Sequence, residues 1–198
     1  MTDAAWGQIP ETTLLSGAEP ITGTDATLRD VWAWSMSDLR TNTVRPMVAE
    51  FLVAKALGAS HRPRIEWDSY DVETPDGLRL EVKSSAYLQA WEQTRLSRIE
   101  FSGLTAKTPT ATAYSDARTY NADGYVFALQ TATEHSRYDA LDTGQWQFWV
   151  LPVERVAANG SRSLALSTVK SMAGEHVTYA RLADTVRSVV RRREVAAG

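Results

Sequence analysis

The 198-residue chain predicts an α/β fold with a central mixed β-sheet flanked by helices, and three observations carry that expectation. Hydrophobic residues recur at helical spacing in residues 27–39, 47–57 and 179–190. Residues 70–83 alternate and turn as an antiparallel hairpin does. Two further runs, 125–130 and 146–153, are apolar, β-branched or aromatic, and of strand length. At 43% hydrophobic content the chain can bury a sizeable core in one domain, 25–198. Residues 1–24, with several Thr, Gly and Pro, read as a partly ordered N-terminal arm.

In chain order, the first helix carries Leu28, Val31, Trp32, Met36 and Leu39 at helical spacing. For the second, Asn42 or Thr43 can cap, Pro46 fits the first turn, and Gly58 fits the left-handed stop. Its predicted stripe is Met47, Phe51, Ala54 and Leu57, and Glu50 lies beside that stripe. Glu50 therefore points towards whatever the helix packs on, with Lys55 on the far side.

The hairpin holds the chemistry. Tyr70-Asp71-Val72-Glu73 reads as one strand and residues 78–83 as the other, joined by Thr74-Pro75-Asp76-Gly77, where Pro fixes φ and Gly accepts positive φ. Leu78, Leu80 and Val82 share one face, while Arg79, Glu81 and Lys83 share the opposite one. With the odd loop Pro75-Asp76-Gly77, Asp71 stands opposite Glu81; with the two-residue loop Asp76-Gly77 it stands opposite Val82. The odd register is expected, because the even one would bury a carboxylate among Leu80 and Val82 at a cost of several kcal/mol.

Two carboxylates ~4 Å apart repel by about 4 kcal/mol at an effective dielectric near 20, so a cation must offset them or one must keep its proton. Lys83, one of only four Lys beside 17 Arg, supplies one positive charge. A divalent ion would supply two more, and a pair of carboxylates completed by water suits Mg²⁺. An acid-x-Lys triplet is weak evidence by itself, and a solvated strand face bearing a Glu-Lys pair is the plain alternative.

Beyond the hairpin, residues 84–93 mix hydroxyls, amides and aromatics, and Gln89 and Trp91 are candidates to bond or stack on nucleotide groups. Ordinary helix packing of Tyr87 against Trp91, four apart, is the alternative. Ile99-Glu100-Phe101 is a short strand, residues 107–121 read as a loop or weak helix, and 131–144 is a polar connection. Pro152 ends the last strand or marks an edge. Leu182, Val186, Val189 and Val190 form the stripe of a C-terminal helix, followed by Arg191-Arg192-Arg193, which reads as a solvated tail or a phosphate contact together with Arg187.

A helix carrying Glu50, a strand Asp71, nine intervening residues and then Glu81-Val82-Lys83 resembles the PD-(D/E)xK phosphodiesterase superfamily of restriction-endonuclease-like enzymes, over residues 42–153. The resemblance implies an αβββαβ core, Asp71 and Glu81 as metal ligands with the Val82 carbonyl as a further one, and Glu50 on the metal directly or through water. It implies Lys83 beside the attacking water and the phosphate, and Gln89 as the glutamine that some of these nucleases use after the Glu-x-Lys strand. Mg²⁺, with Mn²⁺ as a substitute, is the implied cofactor, and DNA, ahead of RNA, the implied partner. The implied activity is phosphodiester hydrolysis in restriction, repair or phage defence; an idle member that binds nucleic acid or a protein partner is the alternative. The Pro-Asp dipeptide of the family is absent, Tyr70 preceding Asp71, and Asp68 is a second possibility for the metal-binding Asp, with opposite strand parity.

Composition narrows the rest. Without Cys there are no disulfides or thiolate metal sites, and His61, His135 and His176 are too scattered for a zinc site. No apolar run is long enough to span a membrane and no secretory pattern opens the chain, so a cytoplasmic protein without a membrane partner is expected. Net charge −3 predicts weak, salt-sensitive binding of nucleic acid by one subunit, with a homodimer or partner supplying the remainder.

Overall fold

A computed structural model of the protein describes residues 12–66, 68–109 and 114–191. The chain falls into two compact units, residues 1–37 with 61–63, and residues 38–60 with 64–198. In the first unit, α1 (Leu28–Met36) begins where the Asp30 carboxylate accepts from the backbone N–H and the hydroxyl of Thr27, at 2.7 and 2.8 Å. It stops short of the expected Leu39: Ser35 and Ser37 donate their hydroxyls back to the carbonyls of Val31 and Ala33, a competition that weakens a last turn. No α1 residue is buried, and Trp34 is 88% exposed.

The second unit runs α2 (Val44–Ala56), β1 (Val72–Glu73), β2 (Arg79–Ala86), β3 (Glu100–Ser102), β4 (Ala106–Pro109), β5 (Tyr114–Thr119), β6 (Gly124–Gln130), β7 (Trp146–Pro152), α3 (Val153–Asn159), β8 (Ser163–Ala165), α4 (Leu166–Ala173) and α5 (Tyr179–Val189). The central sheet has the order β1-β2-β6-β7, parallel between β2 and β6 and antiparallel at the other two seams, so it is mixed as expected. Pro152 closes β7, an edge strand, and starts α3.

Two cores sandwich the sheet. Ala49 and Val53 of α2, with Leu57 just past its end, pack with Leu182 and Val186 of α5 against Leu80, Val82, Val126 and Ala128. On the opposite face, Tyr125, Phe127 and Leu129 meet Phe101, Val156, Leu164 and Val169. Every residue of β6 is consequently buried.

Three expectations need correction. The buried face of α2 runs through Ala49 and Val53; of the expected stripe Leu57, at the helix end, is buried, but Phe51 is 57% exposed, and small side chains let the helix close on the sheet. Within 107–121, expected as a loop or weak helix, residues 107–109 and 114–119 are strand: β4 and β5 pair antiparallel, with Ala106 opposite Thr119 and Lys107 opposite Arg118, where β-branched Thr suits a ribbon. Tyr87 and Trp91 share no helix, because β2 ends at Ala86 and irregular chain follows. The first eleven residues of the arm, and Arg192 and Arg193 of the basic triplet, lie outside the described residues. Among the described residues no helix is long and apolar enough to cross a membrane.

Candidate active site

The turn builds the site by setting the register. Gly77, at φ +82°, donates its N–H to the Thr74 carbonyl at 2.8 Å, while the Thr74 N–H reaches the Leu78 carbonyl at 2.9 Å and the Leu78 N–H reaches Thr74 Oγ1 at 2.9 Å. Val72 then pairs with Leu80 and Glu73 with Arg79, the odd register, and Asp71 stands just before the paired residues. The Asp71 N–H donates to the Leu80 carbonyl at 3.0 Å, and Asp71 Oδ2 accepts the Val82 N–H at 2.7 Å. The Val82 side chain is buried in the core beneath. One backbone amide thus fixes the aim of the Asp71 carboxylate.

Glu81 and Lys83 leave the strand on the same side, and Lys83 Nζ donates to Glu81 Oε1 at 2.5 Å. Both are mostly buried, their side chains 15% and 20% exposed. Gly103, in the turn after β3, runs close by: a Cβ there would stand 3.8 Å from the Lys83 ammonium.

Glu50 arrives from α2, on the helix face that meets the sheet, with only a tenth of its side chain exposed. It is bound by Arg64, whose Nε donates to Oε2 and whose Nη2 donates to Oε1 at 3.5 Å. Burial pushes the Glu50 carboxyl above its ordinary value; the Arg64 hydrogen bond and the Lys83 charge oppose that rise, and the Asp71 charge adds to it.

Glu81 is pushed up to about 7, first by burial and next by the Asp71 charge, with Glu50 adding a little; Lys83 pulls it down without winning. Glu50, Asp71, Glu81 and Lys83 therefore lie within one another's fields. The acid responsible is Asp71. Asp68 is exposed and acts on the Tyr70 hydroxyl instead.

Gln89 is buried and its amide is committed to the chain around it. Nε2 donates to the Ala86 carbonyl and to Ser97 Oγ, both at 3.1 Å, and Oε1 accepts from Arg45 Nη2 at 3.5 Å. Arg45, itself buried near the start of α2, also donates to the Arg40 carbonyl at 2.7 Å and Asn42 Oδ1 at 2.5 Å. Gln89 thus ties the chain beyond β2 to the start of the helix that carries Glu50.

Sequence reasoning missed Arg64 and Arg45. Arg64 sits in irregular chain after Pro63, where no periodicity marks it; the only available signal was the need of a buried Glu50 for a cation.

The donor chemistry fits a hard divalent ion. Among the described residues Asp71 Oδ1 and Glu81 Oε2 accept no hydrogen bond, so each carboxylate keeps one oxygen to offer. Their mutual repulsion is what a small cation relieves. Among the described residues no group of three or more His, Cys, Asp or Glu is gathered to hold a metal, and Glu50, the third acid, is taken by Arg64. No protein-family model matches the chain, and no curated protein matches it, so its own geometry is what bears on function.

Proposed function

We propose that this protein is a metal-dependent nuclease that hydrolyses DNA phosphodiester bonds, with a restriction-endonuclease-like core of the PD-(D/E)xK kind, acting in restriction, repair or phage defence. The observation that supports it is Asp71 held by the Val82 amide with its charge acting on Glu81, Lys83 bonded to Glu81, and the Glu50 charge within reach. Such an array has a chemical use and a folding cost: carboxylates that raise one another's proton affinity weaken the fold at neutral pH.

Asp71 and Glu81 would hold Mg²⁺, or Mn²⁺ in its place, with the Val82 carbonyl and Glu50 as further ligands, Glu50 directly or through water. When bound, that ion supplies Lewis acidity towards a phosphoryl oxygen and lowers the pKa of water. The Val82 N–H keeps Asp71 aimed. Lys83 offers its ammonium to charge developing on the phosphate and steadies Glu81. Arg64 compensates Glu50. Gln89, through Arg45 and Ser97, acts as a positioning residue.

The test is incubation of the purified protein with plasmid and linear DNA, with Mg²⁺, with Mn²⁺ and with EDTA, beside Lys83→Ala. Cleavage that needs the metal and drops at least a hundredfold in the variant is expected. Cleavage indifferent to EDTA would sink the metal chemistry, and equal cleavage by the variant would remove Lys83 from it. The second reading, a non-catalytic module binding nucleic acid or protein, is favoured by one observation: Arg64 and Lys83 already neutralise Glu50 and Glu81. It requires binding without cleavage.

A further inference from the structure

Eleven residues after β2, 87–97, form a closed loop with its own internal lock. The Ser97 N–H donates to the Tyr87 carbonyl at 2.9 Å, bringing the loop ends together. Gln93 fills the ring: its Nε2 donates to the Tyr87 carbonyl at 3.2 Å, the Arg95 carbonyl at 3.3 Å and Ser97 Oγ at 3.0 Å, while its Oε1 accepts the Gln89 N–H at 2.7 Å. Ser97 Oγ also accepts from Gln89 Nε2. A loop tied at so many points presents its outer side chains from a fixed frame.

Those side chains are Trp91, 57% exposed, with Arg95, Arg98 and Leu96 also exposed, around a cleft of about 790 Å³ formed by residues 91–98. Among the described residues neither Arg95 nor Arg98 is ion-paired. In a chain of net charge −3, an indole and two uncommitted guanidinium groups thus stand around one open cleft, which Glu92 also lines. An indole can stack on the face of any unpaired base, and guanidinium groups pair with phosphates on either side of it. A paired duplex base has its faces covered by neighbours and cannot use the indole in this way. The loop leaves the end of β2, three residues or roughly 10 Å along the strand from Lys83.

We infer that the loop of residues 87–97, with Trp91, Arg95 and Arg98, is a subsite for single-stranded DNA, Trp91 stacking on an unpaired base and the two Arg holding the flanking phosphates. This deepens the nuclease reading and rests on it for the identity of the polymer. It makes the preferred substrate a single strand or a frayed end.

The test is fluorescence anisotropy in EDTA with three labelled probes: a ten-nucleotide oligo-dT, an abasic strand of the same length, and a blunt hairpin duplex. Trp91→Ala is expected to weaken oligo-dT about tenfold and the abasic strand less than twofold. Trp91→Phe, which keeps an aromatic face, should restore most of the loss. Arg95→Ala and Arg98→Ala should weaken both strands and each lower the slope of log affinity against log salt by about 0.7. Circular dichroism melting of each variant separates lost binding from lost folding, and Trp91→Phe decides where Trp91→Ala melts early. Equal binding of oligo-dT by the wild type and a folded Trp91→Ala, equal losses on oligo-dT and the abasic strand, or no oligo-dT binding by the wild type would each overturn the subsite. Because no metal is present, a protein that binds by this pattern yet never cleaves keeps the subsite and loses the hydrolase, whereas cleavage with Trp91-independent binding does the reverse.

Discussion

Glu81 is where burial and charge meet most directly. Its carboxyl, ordinarily near 4.5, rises to about 7 in the folded protein, so between those values the folded state keeps a proton that the unfolded chain has released. Stability should then be fullest at the acid end of that window and decline as pH rises through about 7, by at most roughly 3 kcal/mol. Glu81→Gln should remove that decline, making the variant the more stable protein at pH 8 in EDTA. Urea denaturation at pH 5, 6, 7 and 8 measures it, and an unchanged difference between the two proteins across the series would contradict the shift. Gln89 gives a prediction of the other sign. Replacing it with Ala strips hydrogen bonds from the Ala86 carbonyl, Ser97 and the buried Arg45, and should cost about 1–3 kcal/mol by the same assay. Wild-type stability in Gln89→Ala would mean that the network holds nothing together.

At the scale of elements, Gly124 opens β6 against the end of α5. A Cβ there would come within 2.5 Å of Val190 Cγ2 and 3.2 Å of the Leu151 carbonyl. Gly124→Ala should therefore cost about 1–3 kcal/mol, and much less in a Val190→Ala background. Additive losses across the four proteins of that cycle would show the clash to be unreal. Elements also mark what a sequence can disclose. The hairpin register was legible, because only one loop length keeps Asp71 off the apolar face of Leu80 and Val82. Strands β6 and β7 were legible from their apolar runs. The phase of α2 was not, since a periodic pattern weighs the bulky Phe51 above Ala49, while packing on a sheet rewards the smaller residue. The ribbon of β4 and β5 was hidden because its Thr-, Ala- and Ser-rich segments carry no apolar alternation, and their pairing with each other is what makes them strands. In the candidate site the strand acids and Lys83 followed from alternation; Arg64 did not, since its partner lies across an irregular stretch.

For the whole molecule, the proposed site makes folding and metal binding one equilibrium. An ion held by Asp71 and Glu81 in the folded state alone adds about 2.7 kcal/mol at a hundred times its dissociation constant. Thermal melts should shift upward with Mg²⁺, return with EDTA, and stay put in Asp71→Asn. A wild-type melting temperature indifferent to millimolar Mg²⁺ at neutral pH would leave the carboxylates without an ion to hold.

Strand β6 has both of its faces covered and a hydrogen-bonded neighbour on each side. Its amides should be the last in the chain to trade protium for deuterium, opening only when the entire second unit unfolds. The scaffold under Glu81 and Lys83 is anchored to that seam through β2, so these two side chains ride on the slowest-breathing part of the protein while the loop beyond them meets the solvent.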